Sequence, residues 1–214
     1  MRDRVAGGGR VFLVDDDSSV RRGLTRLLRS VGLEVASFPS ADELLLSLDA
    51  REPACVVADL RMPGLTGLQL QDELTRRGLD LPVVFISGHA DVSSSVQAMK
   101  SGAVDFLEKP VAEEDLLAGI KKALDAHRER RTARREKEVL EARLARLTPR
   151  EREVFALVAA GLLNKQVGYE LGTTEKTIKV HRARVMEKME ARSLADLVRM
   201  AGALGISAEL PPST

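Results

Sequence analysis

Val11-Phe12-Leu13-Val14-Asp15-Asp16-Asp17 passes from a short apolar stretch directly into three consecutive carboxylates. Four apolar residues stopped by charge have the length of a buried strand and are too few for a helix. Similar runs return at residues 35–38, 55–58, 83–86 and 103–107. Between the runs the apolar residues switch to helical spacing, as in Val20, Leu24, Leu27, Leu28 and Val31, or Leu68, Leu70 and Leu74. Five strands alternating with amphipathic helices predict an α/β domain, a five-stranded doubly wound parallel sheet covered on both faces and ending near residue 125.

In an open α/β sheet, ligands bind at the carboxyl ends of the strands. Asp15, Asp16 and Asp17 follow the first strand and Asp59 follows the third, so carboxylates converge on that edge. Their repulsion calls for a cation, and an all-oxygen donor set suits a small hard ion, Mg²⁺ first. Ser87 closes the fourth run, and Lys109-Pro110 follows the fifth. A carboxylate, a hydroxyl, an ammonium and a metal site on one edge are the parts that hold a phosphoryl group. Two other readings of the acids compete. Asp15-Asp16-Asp17-Ser18-Ser19 also fits the nucleophile loop of metal-dependent phosphohydrolases of the haloacid dehalogenase type, but this leaves Asp59 and the chain's tail without a role. A mononucleotide site would offer hydroxyls and amides to phosphate in that loop, not three carboxylates.

From Glu113 to Thr148 the only Gly or Pro is Gly119, and Ala, Leu, Glu, Lys and Arg dominate, which predicts one long helix. Leu116, Leu117, Ile120 and Leu124 would pack its start on the sheet, whereas Ala126 to Glu138 contains no large apolar residue. The division is then a first domain at 1–125, a helical linker at 126–146 and a second domain at 147–214. The linker is either a solvated spacer or, where Leu140, Leu144 and Leu147 resume a stripe, a weak dimer contact.

The tail carries no strand signal. Thr148-Pro149-Arg150-Glu151 has the cap, first-turn proline and acid of a helix start, and residues 153–160 read as one helix closed by Gly161. Residues 165–171 form a second, closed by Gly172; Thr174 caps a third over 175–189, and Ser193 a fourth. Two short helices about a glycine turn, then a basic third, is the helix-turn-helix pattern of an all-α domain. The third helix has an inner stripe, Ile178, Val185 and Met189, and an outer set, Lys176, Lys179, Val180 and Ala183. That outer face is basic and narrow enough for the major groove of double-stranded DNA.

Charge supports the division. The 214 residues hold 33 Lys+Arg against 32 Asp+Glu, which excludes a uniformly basic nucleic-acid binder. Residues 1–110 nevertheless carry 13 against 16, residues 111–147 carry 10 against 8, and residues 148–214 carry 10 against 8. Three percent aromatics without Trp argues against a base-stacking platform for single strands. One cysteine, Cys55, allows neither an internal disulfide nor a cysteine metal cluster and is expected in the core. No apolar run approaches the ~18 residues of a membrane span, and no hydrophobic segment follows the N-terminal charges, so a cytoplasmic protein without membrane contact is expected.

Asp15/Asp16, Asp59 with Met62-Pro63-Gly64 behind it, Ser87, Phe106 and Lys109-Pro110 together resemble the receiver domain of two-component response regulators across residues 10–125. The resemblance implies a flavodoxin-like fold in which Asp59 is phosphorylated by a sensor histidine kinase. Asp16 and Asp59 would bind Mg²⁺ directly, Asp15 largely through water, and the Arg61 backbone carbonyl would be a further ligand. Ser87 would hydrogen-bond the phosphoryl oxygens, Lys109 would pair with them, and Phe106 would change rotamer as the switch. Arg61 and His89 occupy positions where the family tunes self-dephosphorylation, or are solvated loop side chains. Asp17 lies beyond the matching pair and is expected to start the first helix.

Leu147-Thr-Pro-Arg-Glu-Arg-Glu-Val, Gly161-Leu-Leu-Asn-Lys-Gln and Thr174-Glu-Lys-Thr-Ile-Lys-Val-His resemble the LuxR-type helix-turn-helix, and with the receiver they point to the NarL/FixJ subfamily. Gly168-Tyr169 departs from the family, where Ala and other small or polar residues are usual. By resemblance Lys179, Val180 and Ala183 face base edges, Lys165, Lys176, Thr177, Arg182 and Arg184 contact phosphates, and Thr174 is a further DNA-binding residue. His181 is either a phosphate contact or packing. Leu194, Leu197, Val198 and Ala201 form a candidate dimer contact, or in part close the four-helix core of the domain. The implied function is promoter regulation without enzymatic turnover, in which phosphorylation favours a homodimer that binds DNA, with RNA polymerase a further partner. The alternative is an orphan receiver-like DNA-binding protein controlled by a partner or ligand.

Overall fold

The first apolar run forms β1 (Arg10–Val14), and the others contribute β2 (Glu34–Phe38), β3 (Ala54–Asp59), β4 (Val83–Ser87) and β5 (Asp105–Glu108). The computed structural model describes residues 8–48, 54–88 and 92–206. All pairings are parallel, in the order β2-β1-β3-β4-β5. The accompanying helices are α1 (Ser18–Ser30), α2 (Ala41–Ser47), α3 (Gly67–Arg76), α4 (Val92–Lys100) and α5 (Glu113–Ala145).

Successive strand residues point to opposite faces, and here both faces are apolar. Phe12, Val14, Val56 and Phe85 pack with Leu44, Leu70 and Ala98 on one side. Val11, Leu13, Cys55, Val57 and Ile86 pack with Leu28, Leu116, Ile120 and Leu124 on the other. Burying each such large side chain contributes about 1.5–3 kcal/mol, so a one-residue register slip would misplace both layers. Cys55 sits in this core, and burial pushes its thiol up to about 12.

The fifth strand starts two residues later than residues 103–107 suggest. Ala103 is buried, but its amide closes the turn after α4 by donating to the Ala98 carbonyl at 3.1 Å. Val104 then makes the first bond to β4, donating to the Val83 carbonyl at 2.8 Å.

Two compact units divide the chain, Met1–Arg131 and Thr132–Thr214, so the residues read as a linker are shared between them. α5 runs unbroken from Glu113 to Ala145. Its middle is not wholly solvated as expected, because His127 is buried with Nδ1 2.8 Å from the Ala54 nitrogen and 2.7 Å from its carbonyl oxygen. Burial lowers the imidazole's pKa, favouring the neutral ring. Arg130 adds a 2.6 Å ion pair to Asp80.

In the second unit, α6 (Pro149–Ala159), α7 (Asn164–Glu170), α8 (Glu175–Met189) and α9 (Leu194–Ala203) enclose Val154, Phe155, Val158, Val167, Ile178, Val185 and Met189. α6 begins at Pro149 because Thr148 and Glu151 form a reciprocal capping box. Leu147 is buried in this core and the partly buried Leu144 packs against it, so the stripe that resumes at these two leucines serves the second unit's own packing. Leu197 and Ala201 are likewise buried, which removes them from the candidate dimer surface and leaves Leu194 and Val198 exposed on α9.

Candidate functional site

Strand register brings the acidic edge together. Val14 pairs with Ala58 across β1 and β3, so Asp15 and Asp59 emerge side by side. Asp59 pairs with Ile86 and Ser87 with Glu108, which brings Ser87 and Lys109 to the same edge one strand further along each time. One carboxylate oxygen from each of Asp15, Asp16 and Asp59 lies within 4.8 Å of the others. Asp15 and Asp59 are buried and Asp16 is exposed. Three hard oxygen donors at that separation fit a divalent cation.

Lys109 ties the edge together. Its Nζ donates to Asp15 Oδ2 at 2.7 Å and to Asp59 Oδ2 at 2.6 Å. Burial by itself would lower the ammonium's pKa, but the hydrogen bonds to Asp15 and Asp59 outweigh it and the net shift is upward. The Lys109 amide donates to the Ser87 carbonyl at 2.8 Å, and Ser87 is fully buried. The remaining oxygens are oriented by backbone amides: Asp17 donates to Asp15 Oδ1 at 2.8 Å, and Arg61 donates to Asp59 Oδ1 at 3.1 Å. Phe106 is half-buried and packs against the core on the α2–α4 side of the sheet. His89 lies outside the described residues.

Asp17 caps α1, accepting from the Ser19 amide at 2.7 Å and the Ser19 hydroxyl at 2.5 Å, and those bonds hold its carboxyl below the ordinary range. Two residues that sequence reasoning missed also shape the edge. Arg21 Nη1 donates to the carbonyls of Asp15 at 2.6 Å and Asp16 at 2.9 Å. Gly67 starts α3 against β3, where an added Cβ would lie 2.6 Å from the Asp59 carbonyl oxygen and 2.9 Å from Phe85 Cε1. The signals were present, an arginine one turn into α1 and a glycine following the Thr66 cap, but neither residue carries chemistry that a motif search would weigh.

The second unit exposes a cationic helix face. Ile178, Val185 and Met189 are buried, whereas Lys176, Thr177, Lys179, Val180, Ala183 and Arg184 of α8 are exposed, as is Lys165 of α7. Arg182 is half-buried and donates to Asn164 Oδ1 at 3.1 Å, joining α8 to α7. Thr174 caps α8 and shares a 2.9 Å hydroxyl contact with Thr177. His181 is half-buried, and its enclosed Nδ1 has no hydrogen-bond partner among the described residues. The Gly168 departure has a local reason: a Cβ there would stand 2.9 Å from the Thr173 carbonyl oxygen in the α7–α8 turn.

Comparison with known proteins matches both halves separately. Residues 11–121 match the response regulator receiver domain, and residues 145–201 match the bacterial regulatory proteins of the luxR family. Nodulation protein W of Bradyrhizobium diazoefficiens is 52% identical over 198 residues, covering 92% of this chain and 87% of that protein. The transcriptional regulatory protein FixJ of Azorhizobium caulinodans is 41% identical, covering 92% of this chain and 93% of that protein. Among solved structures, response regulator StyR superposes with a TM-score of 0.80 at 45% identity, covering 92% of this chain and 99% of that one.

Proposed function

The chain belongs to the two-component response regulators of the NarL/FixJ type, and on that premise we propose that Asp59 is the phosphoacceptor through which a sensor histidine kinase controls DNA binding by α8. A receiver joined to a LuxR-type domain makes it a DNA-binding transcription regulator, not an enzyme of metabolism. The observation that carries the phosphoacceptor reading is the single Lys109 ammonium bonded to Asp15 and Asp59 together, beside Ser87.

An Asp59 carboxylate oxygen attacks the phosphorus of the kinase's phosphohistidine. The P–O bond forms as the P–N bond breaks, and the electron pair returns to the imidazole nitrogen. Lys109 and Ser87 lie where the transferred oxygens arrive, so one offers a cation and the other a hydroxyl donor. Asp16 and Asp59 would hold Mg²⁺ directly, with Asp15 through water and the Arg61 carbonyl completing the set. When bound, the ion supplies positive charge that offsets the phosphoryl and carboxylate oxygens. The chain's own residues assist both gain and loss of the phosphoryl group in this reading.

Phosphorylation adds roughly one negative charge and new acceptor oxygens. Ser87 and Lys109 are drawn toward them, and Phe106 follows as Ser87 moves. The outcome is a homodimer that binds promoter DNA and meets RNA polymerase, all in the cytoplasm. Among the described residues no helix is long and apolar enough to cross a membrane. Lys179, Val180 and Ala183 of α8 read base edges, Lys165, Lys176, Thr177, Arg182 and Arg184 contact phosphates, and Thr174 completes the DNA-binding set. Leu194 and Val198 remain as the α9 contribution to a dimer.

Beryllofluoride with Mg²⁺ tests the coupling, using a duplex selected by the protein from random sequence. Sedimentation should show dimer formation, and duplex affinity should rise. Unchanged association and unchanged affinity would contradict the coupling.

A further inference from the structure

We infer that Arg21 is a positioning residue for the acidic edge, holding the Asp15–Asp16 backbone so that both carboxylates stay turned toward Asp59. The inference rests on the metal role proposed for that edge. Arg21 is half-buried one turn into α1, and a single nitrogen, Nη1, donates to the Asp15 carbonyl at 2.6 Å and the Asp16 carbonyl at 2.9 Å. Among the described residues it has no carboxylate within ion-pair range, so its charge is spent on two backbone dipoles.

Those two bonds decide where the carboxylates go. Pinning consecutive carbonyls fixes the peptide planes on either side of Asp16 and hence the direction of its Cα–Cβ bond. Asp15 has further restraints, the Asp17 amide at 2.8 Å and the Lys109 ammonium at 2.7 Å. The exposed Asp16 carboxylate accepts no hydrogen bond among the described residues. Its place within 4.8 Å of the Asp15 and Asp59 oxygens therefore depends on backbone geometry, and Arg21 is the side chain that sets it. Two N–H groups of one guanidinium nitrogen can serve two carbonyls at once. A lysine keeps the charge but not the planar fork.

The test uses the full-length chain as wild type, Arg21→Ala and Arg21→Lys, with Mg²⁺ alone titrated by calorimetry and metal-free melting followed by circular dichroism. Loss of an outer partner of a metal ligand weakens metal binding about 10–100-fold, and Arg21→Ala is expected at about ten-fold. Arg21→Lys should also weaken Mg²⁺ binding while keeping the fold. With acetyl phosphate, the Mg²⁺ concentration for half-maximal phosphorylation should rise by the same factor, with the rate at saturating Mg²⁺ close to wild type. In metal-free protein the Asp17 amide should exchange faster in both variants. Equal or tighter Mg²⁺ binding by folded Arg21→Ala overturns the inference, as does Arg21→Lys binding like wild type, which would make charge the only contribution. A wild-type chain that binds no Mg²⁺ would overturn the metal reading itself, and the inference with it.

Discussion

The Lys109 ammonium stands 2.6 Å from the Asp59 carboxylate while also reaching Asp15 at 2.7 Å, with the Asp15 side chain fully buried. One cation thus offsets two carboxylates that register forces together. Removing one partner of a buried ion pair leaves an uncompensated charge, at a cost of ~3–5 kcal/mol. The Lys109 side chain is 22% exposed, which favours the low end. Lys109→Ala should therefore lose about 3 kcal/mol in urea unfolding without metal. Added Mg²⁺ should recover more stability in this variant than in wild type, since a second cation then takes over part of the role.

Gly67 sits too close to β3 for any side chain. The nearest atom to an added Cβ is the Asp59 carbonyl oxygen, which belongs to the backbone and cannot rotate away. Gly67→Ala should cost about 1–3 kcal/mol by overpacking. Because the displaced atom belongs to Asp59, phosphorylation by acetyl phosphate should slow as well, which a substitution at the solvent-exposed Gly78 would not reproduce.

Glu151 links the α6 cap to α8, accepting from Lys188 Nζ at 2.6 Å and from the Thr148 amide at 2.8 Å. The Lys188 bond comes first among the causes that hold its carboxyl down at about 2. A depressed folded value means the carboxylate stabilises the fold above its ordinary range and that this contribution disappears as pH falls through the folded value. Glu151→Gln should be less stable than wild type at neutral pH, and the gap should close between roughly pH 4 and pH 2. Paired urea unfolding curves across that range check it.

On α8, Lys176 and Val180 are both exposed but are assigned different tasks. Lys176→Ala should weaken every duplex alike and reduce the salt slope of binding by about one. Val180→Ala should alter preference at one base position by roughly 1–3 kcal/mol and leave the salt slope unchanged. Titrations at several salt concentrations, with selected and scrambled duplexes, separate the two.

The alternation of apolar runs with helical spacing made the sheet and its acidic edge legible, because period and charge are local properties of sequence. Asp15, Asp59, Ser87 and Lys109 could be placed on one edge for the same reason: each ends or follows a strand. Contacts that depend on register or close approach could not be read. His127 looked like part of a solvated stretch because its partner is the Ala54 backbone, 73 residues away. Arg21 gives no signal in the sequence, since its partners are carbonyls that every sequence possesses. Leu197 and Ala201 lie on the same apolar stripe as Leu194 and Val198, and only packing separates core from surface there.

The most direct test of the account is intact mass after incubation with acetyl phosphate and Mg²⁺, comparing wild type with Asp59→Asn and Asp15→Asn. Wild type should gain the mass of one phosphoryl group and lose it in hydroxylamine, while Asp59→Asn gains none. Asp15→Asn should gain it slowly or incompletely. Full labelling of Asp59→Asn, or none of wild type while its Mg²⁺ site is filled, would contradict the assignment of Asp59 as phosphoacceptor.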